Sequence, residues 1–238
     1  MSNISVRNEN GVAILTMNRP EFQNRMTTEL CGELCQALDE SRLDSAVCGC
    51  VLTGRGDIFC AGGDFRGAGT ETEGRMEFGH IHIDLFDAMA RLGKPLVAAI
   101  NGNALAGGFA LVMACDIAVM AEDAVVELPE AKNGLFPFLA LAIARDAMPK
   151  KLLFELIYTS RSVDAAEALR HNLVNFVVPR EDVLATAVSF VEKTSFINRD
   201  IMMLGRDLYH AMRGVCPEQA VHQARFALGV ALGVPYKK

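Results

Sequence analysis

Apolar positions along the chain alternate between two kinds of pattern. Val12–Met17 is short, β-branched and apolar, and it stops at Asn18-Arg19-Pro20, where proline removes a ladder donor; this predicts a buried strand ending in a turn. From Thr27 or Thr28 the pattern becomes helical, with Leu30, Leu34 and Leu38 recurring every fourth residue among acidic and polar neighbours. Residues 47–53, closed by Gly54, and Leu96–Ile100, closed by Asn101-Gly102, read as further buried strands, and Ile117–Ala121 as another. Strands separated by helical patterns predict crossover connections, and so a largely parallel sheet covered on both faces. Gly107-Gly108 opens the run FALVMAC, which is apolar all round and predicts a buried helix. Past about residue 160 the chain reads as mainly helical, with residues 163–169 and 183–193 on either side of a short strand or turn at 173–178. Residues 60–79, dense in glycine and mixed charge, read as a mobile loop over a site. With no internal repeat and no clear linker, the pattern describes an α/β core followed by a helical carboxy-terminal part.

Composition narrows the class. Of 238 residues, 51% are hydrophobic and 22% charged, which excludes a disordered or low-complexity chain. The net charge is −6, with no dense Lys/Arg stripe, so nucleic acid is not an expected partner and any anionic ligand must be met by local donors. The amino-terminal run is far too short for a signal or membrane anchor, and later apolar stretches are broken well before spanning length, so the expected setting is soluble and cytoplasmic, with no membrane partner. Seven cysteines, an odd number at irregular spacing, fit a reducing compartment and buried thiols better than a disulfide framework.

Candidate chemistry gathers at glycines. Gly62-Gly63 in CAGGD and Gly107-Gly108 allow close backbone approach to a ligand. If Gly107 opens a helix, its amide would direct an unpaired hydrogen and a partial positive charge outward, which suits an oxyanion. The same pairs could instead serve only tight helix-to-sheet packing. Neither a phosphate-binding G-x-x-x-x-G-K-[ST] nor a dinucleotide fingerprint is present. His80 and His82 form a His-x-His without a third ligand at usable spacing; no metal is expected, and a solvated or packing role is the simpler reading.

Six segments carry a resemblance: Asn18-Arg19-Pro20 with Asn24, FCAGGD at 59–64, KPLVAAINGNALAGG at 94–108, ACDI at 114–117, LPEAKNGLFP at 128–137, and SRSVDAAEALRHNLVNFVVP at 160–179. In order and spacing they resemble the crotonase superfamily, the enoyl-CoA hydratases and isomerases. The resemblance implies an α/β fold of repeated ββα units forming two roughly perpendicular sheets over residues 1–180, and a shortened helical trimerisation part over 181–238. It implies a homotrimer or homohexamer acting on acyl-CoA thioesters, with coenzyme A arriving as part of the substrate and no cofactor bound permanently.

By motif position, the thioester oxygen would be held by the backbone N–H groups of Gly63 and Gly107. The family's hydratases use two glutamates; here the first position is Ala110 and the second is Glu130. Hydration divides between two carboxylates the tasks of activating water and delivering a proton, whereas a 1,3-proton shift needs one base that removes a proton and returns it elsewhere. The expectation is therefore an enoyl-CoA isomerase with Glu130 as its base; the alternatives are a hydratase or decarboxylase of the same family, or a silent acyl-CoA-binding relative. Glu130 could otherwise cap a helix or pair with a cation. Ala61, Asp64 and Ala110 are candidate substrate contacts, and Arg25 and Arg66 the basic residues nearest the motifs for the CoA phosphates. Asp64 and Asp116 also read as hydrogen-bond anchors. After Gly134 the run LFPFLAL replaces a glycine pair of many relatives, implying a bulkier, more apolar acyl pocket. The carboxy-terminal VPYKK falls short of common family lengths, which implies that part of a helix often contributing to the CoA site is missing.

Overall fold

The computed structural model describes residues 2–64 and 72–233, with the side chains of residues 72–78 excepted. The chain repeats one step: a strand in a large sheet, a sharp turn, a short strand in a small sheet, then a helix. The step is made by β3 (Gly49–Gly54), β4 (Ile58–Cys60) and α2 (Thr72–Arg91), and again by β5 (Leu96–Ile100), β6 (Asn103–Leu105) and α3 (Gly107–Ala114). A third pass uses β7 (Ile117–Ala121), β8 (Val125–Glu127), a 3-10 turn at Pro129–Asn133 and α4 (Phe138–Ala144). Before these come the hairpin of β1 (Ile4–Glu9) and β2 (Val12–Met17), then α1 (Thr28–Leu43). After them come α5 (Lys150–Thr159), β9 (Val163–Asp164), α6 (Ala165–Arg170), β10 (Phe176–Val178), α7 (Val183–Glu192), α8 (Arg199–Ala211) and α9 (Pro217–Gly233).

The large sheet has the order β1-β2-β3-β5-β7-β10 and the small one β4-β6-β8-β9. Among the described residues only the edge pairs β1–β2 and β8–β9 are antiparallel. The central strands are parallel and covered on both sides, and accordingly every residue of β3 and β5 is buried. On the helices, burial follows the helical period: Leu30, Leu34 and Leu38 on α1, and Val183, Ala187 and Val191 on α7. Thr27 caps α1 by accepting the Leu30 N–H. The buried thiols Cys50 and Cys60 are pushed up to about 11 and about 12 by desolvation, far from reactive thiolates.

The turns between sheets are fastened by asparagines. Asn24, fully buried, accepts the Arg19 N–H and donates to the carbonyls of Arg55 and Ile58 on either side of the β3–β4 turn. Asn101 accepts the Gly54 N–H and donates to the Gly56 carbonyl, holding the same turn from the β5 side. The carboxy-terminal helices are tied on by Arg206 of α8, which donates to both oxygens of Asp116 and to the Ala90 carbonyl, while Asp116 accepts the Leu96 N–H. Asp116 thus anchors the framework.

Three elements differ from the sequence pattern. Residues 60–79 are not one loop, because α2 begins at Thr72; the helix is held by the fully buried Leu85, Ala88 and Met89 farther along, against the helix cost of Gly74 and Gly79. The remainder of that segment, residues 65–71, lies outside the described residues. Strand β1 has little apolar pattern because it is an edge, and Asn10-Gly11, both at positive φ, turn it back onto β2. Residues 163–169 divide, with Val163 and Asp164 pairing to β8 before Asp164 caps α6 through the Glu167 N–H. Among the described residues no helix is long and apolar enough to cross a membrane.

Ser160 ends α5 in the left-handed region at φ 47°, and its buried hydroxyl has no hydrogen-bond partner among the described residues. Both features oppose stability. Replacing Ser160 by Gly should therefore raise stability by about 1 kcal/mol, seen as a Tm gain of about 2–4 °C in a thermal melt; an unchanged or lower Tm would show that lost packing outweighs both.

Candidate active site

The segment after β4 is held from one side by residue 26. Met26 donates its N–H to the Gly62 carbonyl (2.9 Å) and accepts the Asp64 N–H (2.8 Å), forming a parallel bridge opposite Gly63. In such a bridge the central residue's own N–H points away from the partner strand. The start of α3 lies close by. A Cβ built on Gly107 would stand 3.6 Å from the Gly63 nitrogen, and one built on Gly62 would stand 3.1 Å from the Gly107 nitrogen, so the two amides are neighbours.

Gly107 opens α3, where the first N–H groups have no intrahelical acceptor, and the N-cap residue Ala106 offers no side-chain cap. Ala106 before it has φ 52° and ψ −119°, a conformation that costs an alanine roughly 1–3 kcal/mol and rotates the following peptide. Its N–H donates to the Glu127 carbonyl, and its carbonyl accepts the Ala110 N–H. A Cβ on Gly108 would collide with the Cys60 carbonyl, so only glycine lets α3 approach β4 this closely. The resulting pair of N–H groups at a helix start can hold an oxyanion.

The Ala106–Glu127 bond also fastens the approach to Pro129–Asn133 beside Gly107. Leu128, fully buried, enters this turn, and Gly134 at φ 68° closes it. Two glutamates lie close together here, and their environments separate them. Glu127 accepts from Lys132 (2.6 Å) and Ser162 (2.5 Å); burial works against its charge, but these bonds hold it below the ordinary carboxylate range. Glu130 is raised, first by desolvation and further by the Glu127 charge, against its own backbone N–H. Its Oε2 is buried without a hydrogen-bond partner among the described residues. A paired carboxylate is fixed; an unpaired, desolvated one can take a proton.

The other candidates fall as follows. Ala110 sits one turn into α3 and is 1% exposed, so no carboxylate accompanies Glu130 from that position. Ala61 is buried, and its carbonyl accepts from Arg25 (3.0 Å), which ties the Arg25 guanidinium to the backbone at the edge of the site. The Asp64 carboxylate lies 3.9 Å from the Arg19 guanidinium, within the framework of the loop. Arg66 lies outside the described residues. His82 is buried with Nε2 3.8 Å from Cys31 Sγ, whereas His80 is exposed. Among the described residues no group of three His, Cys, Asp or Glu could hold a metal ion. A cavity of about 420 Å³, lined in part by Cys115, Asp116, Arg206 and His210, lies at the far end of α3, about 12 Å of helix from Gly107. It is distinct from the amide pair.

The enoyl-CoA hydratase/isomerase family matches residues 7–227. The chain belongs to this family. A putative enoyl-CoA hydratase from Thermus thermophilus is 35% identical over 220 residues, 91% of this chain and 87% of that protein. An enoyl-CoA hydratase structure from Mycobacterium smegmatis superposes with a TM-score of 0.93 at 28% identity, over 98% of this chain and 92% of that one. A structure described as a monofunctional enoyl CoA isomerase from M. smegmatis gives a TM-score of 0.79 at 29% identity, covering 93% and 99%. The family and the crotonase fold stand on these matches, and the helical carboxy-terminal part is included in them. The motifs did not single out two features that matter to the site: Met26, whose role depends on a contact across the fold, and the strained Ala106.

Glu130 supplies a stability test. A carboxyl whose folded pKa is raised binds more protons folded than unfolded, so its penalty is absent below the unfolded value and grows as pH rises through the folded one. Glu130→Gln should therefore stabilise the protein at pH 7 to 8, on the order of 1 kcal/mol. The gain should vanish on acidification below the ordinary carboxylate range. Melts across pH would check this, and a gain confined to acid would reverse the sign.

Proposed function

We propose that this chain acts on enoyl-CoA thioesters as a one-base isomerase. The N–H groups of Gly63 and Gly107 receive the thioester oxygen and stabilise the enolate. Glu130 removes a proton from one carbon and returns it two carbons along, shifting the double bond. The observation that carries this reading is the desolvated carboxylate of Glu130, whose Oε2 has no hydrogen-bond partner among the described residues, together with the methyl group of Ala110 at the other carboxylate position. A base alone suffices for a 1,3-proton shift; hydration also requires a second group to hold and activate water. Coenzyme A comes with the substrate, with Arg25 the described basic residue nearest the candidate site for its phosphates, and no permanent cofactor takes part. Hydration is the second reading, favoured by the names of the Thermus relative and the M. smegmatis hydratase structure.

Glu130→Gln should lower double-bond migration and α-proton exchange in deuterated water by at least about 100-fold. Binding of a saturated acyl-CoA should stay nearly unchanged, since glutamine keeps the shape but cannot accept the proton. Wild-type protein should hydrate 2-enoyl-CoA poorly. Turnover to the 3-hydroxyacyl product at about 10 per second or more would replace the one-base reading by hydration.

The proposed assembly is a homotrimer or a pair of trimers. Helix α9 leaves Phe226, Leu228 and Leu232 exposed, apolar area that a second copy would cover. Light scattering at micromolar concentration should return at least three times the chain mass of 25.8 kDa; a single-chain mass would overturn the assembly.

A further inference from the structure

Met26 touches both halves of the amide pair. Its backbone N–H and carbonyl are both engaged by the peptides flanking Gly63, as the 2.9 Å and 2.8 Å bonds to Gly62 and Asp64 show. Its side chain, 1% exposed, runs to the other half: the nearest atom to a Cβ built on Gly107 is Met26 Cε, so close that the two could not coexist. The next nearest atoms are Gly62 Cα at 3.5 Å and the Gly63 nitrogen at 3.6 Å. The thioether methyl therefore fills the space left by the missing side chain of Gly107, at the point where the two glycine segments come together.

We propose that Met26 is the positioning residue of the pair. Its backbone aims the Gly63 N–H, and its Cε, wedged against Gly107, sets the separation and tilt of the second N–H. This rests on reading the two amides as the thioester-oxygen site. Methionine suits the task because its unbranched chain reaches a gap that leucine, ending one atom earlier, leaves unfilled. Donors that stabilise a developing oxyanion must hold their position closely, and a displacement of about 1 Å can cost up to 100-fold in rate.

The test is a mutant cycle. Met26→Ala should lower kcat for isomerisation or proton exchange by about 10- to 100-fold while changing KM and saturated acyl-CoA affinity by less than about threefold. Gly107→Ala alone should also lose activity, because its Cβ must displace the buried Met26 Cε. In Met26→Ala/Gly107→Ala the new Cβ occupies the vacated space, and kcat should exceed the product of the two single losses by about tenfold or more. If Gly107→Ala does not fold alone, recovery of a cooperative melt in the double variant reads the same coupling.

An infrared measurement on [1-13C]butyryl-CoA, which has no double bond to move, reports the donors without turnover. The bound carbonyl band should lie below that of the free thioester in wild type and return toward it in Met26→Ala. Met26→Leu, which keeps the volume but lacks Cε, should melt near wild type yet show an intermediate band. A lowered wild-type band unchanged in Met26→Ala, or losses that simply multiply in the double variant, would overturn the positioning role alone. A wild-type band at the free position would instead overturn the amide-pair reading itself, and the positioning role with it.

Discussion

The bridge between Met26 and the 62–64 segment is the interaction on which the site depends. A strand residue has two hydrogen-bonding sides, and pairing on one commits its neighbours to point that way and leaves its own N–H on the other. Because Met26 binds the peptides on both sides of Gly63, the Gly63 N–H is turned away from Met26 and left unused by that pairing. The same bridge brings the Met26 side chain to Gly107. The asparagine-fastened turns exist to deliver β4 to that bridge, since Asn24 and Asn101 hold the chain where it leaves the large sheet for the small one.

Around this bridge the fold carries several local costs close together. Parallel strands and helices satisfy their backbone groups internally, and most polar side chains at the sheet turns are paired. At the site, Ala106 takes a conformation foreign to alanine, the first N–H groups of α3 have no intrahelical acceptor, and Glu130 Oε2 is buried without a hydrogen-bond partner among the described residues. The Ala106 conformation alone costs about 1–3 kcal/mol, and a large buried core surrounds the site. The contrast with Glu127, three residues away and fully engaged by Lys132 and Ser162, shows that the unpaired state is local to one carboxylate.

Legibility in the chain followed burial. Val12–Met17, Leu96–Ile100 and Ile117–Ala121 stand out because strands covered on both faces must be apolar throughout, and α1 and α7 stand out because one helical stripe must be. Strand β1, with five of its six residues exposed, carries little such pattern, and only Asn10-Gly11 signals its turn. Helix α2 was hidden by the glycines in its first turns, whose cost is offset by packing at Leu85 and Met89. The division of 163–169 between β9 and α6 depends on whether β8 has a free edge, which no local window contains.

For the candidate site, the residue types and their order are legible in the chain: glycines at 63 and 107, a glutamate after Pro129, and an alanine at 110. Those identities are covalent facts and need no fold. What the tertiary structure decided is which groups remain unpaired. Whether Glu127 or Glu130 lacks a partner depends on Lys132 and Ser162, the latter 35 residues along the chain from Glu127. Whether the Gly63 N–H faces a ligand or a neighbouring strand depends on residue 26. Pairing is a property of neighbours in space, and a chain of letters fixes those neighbours only once the two sheets have packed.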